Sequence, residues 1–158
     1  MNIPYPESAI VLLNKMIMTM RGVISYNETL SSDFNESMAT LNMQSYVDAG
    51  TYSTNPGQHF CGTAACILGY QAIYESATGT TVIELANIAG DIGDDLDTLL
   101  GYDISNSVIS VTSDHRLSCA KDGNVQNLKH NHLQNCDTTP QDAIDYMEYV
   151  ITLCEEQL

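Results

Sequence analysis

The chain has 158 residues, 44% of them hydrophobic, enough for one domain with its own core, and no Pro/Gly/Ser-rich linker divides it, so residues 1–158 read as a single domain. Five Lys and Arg stand against 20 Asp and Glu, and the net charge of -15 repels phosphate backbones and anionic membranes, which leaves a basic protein surface as the natural partner. Five cysteines with no basic leader ahead of the first apolar stretch point to free thiols in the cytoplasm, and no cofactor motif is present.

In chain order, Pro6 and Glu7 suit the first turn of a helix, and Ile10, Leu13, Ile17, Met20 and Ile24 recur at spacings of three and four. Val11, Leu12, Met16, Met18 and Val23 widen the apolar surface beyond one stripe, so this first helix is expected to be buried on two sides, with an oligomer seam as the alternative. Asn14, Lys15, Thr19 and Arg21 interrupt it too often for a membrane span.

From Asn27 to Ser53 the chain is polar, and Leu41 to Val47 reads as a short helix or turn. Asn55-Pro56-Gly57 breaks the chain before Cys61-Gly62-Thr63-Ala64-Ala65-Cys66-Ile67-Leu68-Gly69-Tyr70, a loop entering a small-residue helix over 64–74. Thr80 or Thr81 caps a further helix with Val82, Leu85, Ala86 and Ala89 inward and a stop at Gly90. The following segment to Gly101 keeps Ile92, Leu96, Leu99 and Leu100 on one side and Asp91, Asp94, Asp95 and Asp97 on the other. Those aspartates lack the alternating spacing, central Gly and terminal Glu of a calcium loop and read as a solvated acidic face.

Val108 to Thr112 is β-prone and Lys121-Asp122-Gly123-Asn124 is a turn signal, so a small antiparallel hairpin or sheet is expected over 105–134. Thr139-Pro140-Gln141-Asp142 opens a last helix that buries Ala143, Met147, Val150, Ile151 and Cys154. The class predicted is α+β, mainly helical.

Two constellations bear on chemistry. Cys61 before Gly62 at a helix entrance can be activated as a thiolate, with His130 or His132 as base, giving a thiol-dependent hydrolase or transferase; the acidity of the chain opposes this. His130 and His132 share a strand face and, with Cys119 and Cys136, would form a zinc donor set, but the spacing matches no zinc knuckle and exposed hairpin histidines are the ordinary explanation, so no metal site is expected.

Leu41-Asn42-Met43 with Tyr46, then Cys61 to Tyr70, a leucine-rich helix ending near Leu100-Gly101 and the Thr139-Pro140 helix start together resemble a group of small phage and bacterial proteins. Those proteins carry F-[DN]-M-x-x-W followed by CGTxxCxxGW. The likeness runs from about Leu41 to Leu153, with tyrosine here at both tryptophan positions. It implies a core in which Tyr46, Cys61, Gly62, Thr63 and Tyr70 meet, and it implies no activity. A phage accessory protein that engages or inhibits a host defence or regulatory factor in the host cytoplasm is the function expected, with Asp91, Asp94, Asp95 and Asp97 as its charged surface. The third alternative is a sponge for a small signalling nucleotide beside the Cys61 turn, which needs Arg116, Lys121 or Lys129 to offset the charge.

Overall fold

The computed structural model describes residues 2–29, 39–41, 47, 52, 64–77, 79–102, 104–105 and 139–158. Within them are helices α1 (Pro6–Glu28), α2 (Ile67–Glu75), α3 (Val82–Leu100) and α4 (Pro140–Glu155). The described part is 78% helix, and this corrects the α+β class expected from sequence. Extended pairing there amounts to a two-residue parallel ladder, β1 (Thr40–Leu41) on β2 (Ala64–Ala65), with Val47 bridging Ala65 in the antiparallel sense. That is too short to form a sheet layer. The predicted hairpin lies outside the described residues from position 106 to 134, and Ser105 at its start is helical and buried. Strand propensity is a statement about fit to a half-buried pleated face, and here the helix stripes already supply the core.

α1 is the hub. It packs along α4 most extensively and touches both α2 and α3, which also pack on each other. Its buried positions are Ala9, Leu13, Met16, Ile17, Thr19, Met20 and Val23, which keep Leu13, Ile17 and Met20 of the predicted stripe but are displaced toward Ala9, Met16 and Val23, so that Ile10 and Ile24 are only half-buried. Met18 and Val11 remain exposed, which leaves one side of the helix uncovered. By length and a mean hydropathy of 1.2 α1 passes for a membrane span, and 39% of that window is buried inside the fold.

The helix starts follow local chemistry. Thr81 accepts from the Glu84 N–H at 3.2 Å and the Glu84 carboxylate accepts from the Thr81 N–H at 3.1 Å, a reciprocal cap. Thr139 and Asp142 repeat it on α4, both bonds at 3.1 Å, with Pro140 in the first turn. α3 runs straight through Gly90, the predicted stop, and ends at Gly101, whose φ of +86° only glycine adopts freely. Gly93 has a packing role: a Cβ there would sit 3.2 Å from Leu68 Cδ1, so its bare backbone lets α2 approach α3.

Side chains then tie the loops to the bundle. Asn27, near the end of α1, accepts from the Ala39 N–H at 2.8 Å and donates to the Ala39 carbonyl at 2.9 Å, acting as a strand partner for the residue that leads into β1. The Ile3 N–H donates to Gln157 Oε1 at 2.9 Å and the Tyr5 N–H to the Leu99 carbonyl at 3.1 Å, which joins the two ends of the chain over α3. Arg21 and Glu148 pair at 3.3 Å between α1 and α4, but both are more than half exposed, so the pair adds about 0–1 kcal/mol.

Two substitutions on α3 separate propensity from packing. Gly90 has open space around it, so Gly90→Ala is expected to stabilise by about 0.5–1 kcal/mol. Gly93→Ala gains the same propensity but must displace Leu68, and its urea-unfolding free energy is expected to fall below that of Gly90→Ala. Equal gains from the two would show that the α2–α3 contact is not close-packed.

Candidate functional site

The Cys61 turn was the focus of the sequence, and the structure describes its downstream half. Ala64 and Ala65 are extended, Cys66 caps α2 with its Sγ accepting from the Gly69 N–H at 3.4 Å, and the helix expected over 64–74 begins at Ile67. Small residues suit this place because β2 must lie against β1 while α2 turns at once into the core. Tyr70 is fully buried in that core, so it belongs to the packing and presents no surface. Tyr46, Cys61, Gly62, Thr63, Cys119, His130, His132 and Cys136 lie outside the described residues, as do Arg116, Lys121 and Lys129.

Two thiols are described, Cys66 and Cys154, both buried and free. Burial pushes the Cys66 thiol up to about 12, against weaker opposition from the backbone N–H groups of Gly69 and Leu68. Cys154 is raised by burial first and then by the charge of Glu155. A neutral, covered thiol is neither a nucleophile nor a metal ligand. Among the described residues no group of three or more His, Cys, Asp and Glu side chains is placed to hold a metal ion.

The predicted acidic face is formed. Asp91, Asp94 and Asp95 are exposed and Asp97 is half-buried, on the side of α3 opposite Leu85, Ala89, Ile92, Leu96 and Leu100. The stripe continues N-terminally through Asn87 to Ile83, which is 76% exposed. Three like-charge pairs at helical spacing, 91 with 94, 91 with 95 and 94 with 97, repel one another, and Asp97 lies in a last turn that carries no basic residue. The charges therefore sit where they cost the helix stability.

Sequence reading missed a hollow between α1 and α2, lined by Lys15, Met18, Gln71, Tyr74 and Glu75, with a volume of about 240 Å3. Its signal was present as two polar residues in apolar surroundings. Thr19 interrupts the α1 core stripe, Gln71 interrupts Ile67–Ile73, and the two meet at 2.6 Å inside the fold. A second hollow, of about 270 Å3, lies at the chain ends between Pro4, Tyr5, Pro6 and Leu158.

Compared with known protein families, with curated proteins and with solved structures, the chain finds no match.

The thiol chemistry gives a direct test. Because the folded Cys66 holds its proton up to about pH 12, its contribution to stability is complete below the ordinary thiol value of about 8.5 and is lost as pH rises between the two. Native protein at neutral pH is expected to leave Cys66 and Cys154 unlabelled by an aromatic disulfide reagent, with both reacting once urea unfolds the chain. Labelling of Cys66 in the folded state at the rate of a free thiol would show that the cap is open.

Proposed function

We infer that this protein acts by binding, and that the acidic stripe of α3 docks on a basic surface of a protein partner. The observation that carries this reading is the placement of charge. Asp91, Asp94, Asp95 and Asp97 repel each other along a helix whose opposite side is committed to the core, and no described cation lies among them. The pattern recurs: α1 ends on Glu28, α2 on Glu75 and α4 on Glu155, and none of the four described helices has a basic residue in its last turn. Charge of one sign held at some expense in stability suits encounter with an opposite surface, where it accelerates association and rejects acidic competitors. Exposed Ile83 at the start of the stripe adds an apolar contact beside the charges. The likeness to small phage and bacterial proteins makes a host regulatory or defence factor the natural partner.

Replacing the four aspartates by asparagine tests the reading twice. Relief of three like-charge pairs and of the Asp97 dipole contact is expected to raise stability by about 1–2 kcal/mol at low salt, a gain that shrinks as salt is added. Capture from a bacterial lysate on immobilised protein is expected to retain basic proteins on the wild type and lose them on the variant. Captured proteins indifferent both to salt and to the four changes would remove the electrostatic interface.

A further inference from the structure

We propose that the hollow between α1 and α2 is a binding site for a free apolar α-amino acid, held by its carboxylate, its ammonium and its side chain. The site is independent of the α3 stripe. Its floor is Gln71, only 2% exposed. Thr19 Oγ1 lies 2.6 Å from Gln71 Oε1 and 3.2 Å from the Lys15 carbonyl oxygen. The Thr19 hydroxyl donates to Gln71 Oε1, which leaves the Gln71 NH2 for the hollow. With the amide turned over, Oε1 faces it instead. In both, one end of the Gln71 amide has no partner among the described residues and is available at the floor of the hollow.

The rims carry opposite charges. Lys15 on α1 makes no ion pair with a described residue although the chain has a net charge of -15, and Glu75 at the end of α2 lines the same hollow without pairing to it. Met18, 66% exposed, and Tyr74, 65% exposed, supply adaptable and flat apolar walls from the two helices. A volume of about 240 Å3 is smaller than the roughly 300–1,000 Å3 that takes a drug-sized ligand and fits one amino acid. The overall charge selects against a simple anion, because the field of the protein repels it, whereas a zwitterion enters without net work and meets Lys15 and Glu75 with its two ends. The Gln71 amide is left to hydrogen-bond the polar head between them.

The test is titration of isotope-labelled protein by NMR with L-phenylalanine, N-acetyl-L-phenylalanine and L-phenylalaninamide, which are zwitterion, anion and cation on one side chain. L-Phenylalanine is expected to give saturable shifts at residues 15–19 and 71–75, with each derivative binding about tenfold more weakly for the loss of one charge-assisted contact. Lys15→Gln and Glu75→Gln, both at exposed positions, are expected to weaken L-phenylalanine by a similar factor. Lys15→Gln should leave the amide unaffected, and Glu75→Gln should leave the N-acetyl compound unaffected. Absence of saturable shifts, shifts confined to other residues, or equal binding of the three compounds would each overturn the proposal.

Discussion

The structure depends on the burial of one helix. α1 is in contact with every other described helix, and its side chains from Ala9 to Val23 fill the space that α2, α3 and α4 close around. Burial of Leu13, Met16, Ile17 and Met20 at about 1.5–3 kcal/mol for each large side chain outweighs anything the surface can supply, where the described ion pair is exposed and weak. The bundle is thus held by apolar area, and its charges are free to serve another purpose.

That division explains how an acidic chain remains folded. Carboxylates occupy the outer faces and last turns of the helices, where each costs tenths of a kcal/mol, and two reciprocal caps at Thr81 and Thr139 offset part of this at the helix starts. Capping uses the favourable end of the dipole for Glu84 and Asp142, while Asp97 and Glu155 stand at the unfavourable end. The asymmetry leaves the α3 stripe a surface of one charge sign.

Polar groups inside the bundle are few and specific. Thr19 and Gln71 join α1 to α2 across the core edge, and Asn27 reproduces the hydrogen bonding of a strand for Ala39. Each fixes a register that apolar packing alone leaves open, since hydrophobic contact is non-directional. The Cys66 cap has the same part at the entrance to α2, where a buried thiol receives the Gly69 N–H that the first turn of the helix leaves unpaired.

The sequence by itself determined the helices and the starts of α1, α3 and α4. The 3.6-residue recurrence of Leu13, Ile17 and Met20, the threonines before Val82 and Pro140, and the separation of Asp91, Asp94 and Asp95 from Ile92 and Leu96 are local patterns, and local patterns survive into the fold. Tertiary packing decided the rest. It displaced the buried face of α1 toward Ala9, Met16 and Val23 because neighbours on three sides, and not the helix alone, define which positions are covered. It carried α3 through Gly90, where a modest loss of propensity is smaller than the burial of the next turns, and set the close α2–α3 approach at Gly93. It drew Ala64 and Ala65 out into extended chain, since pairing with β1 depends on residues far away in sequence. The hollow on Gln71 belongs to the same category: Thr19 and Gln71 interrupt the apolar runs of α1 and α2, but the hollow exists only where the two helices meet.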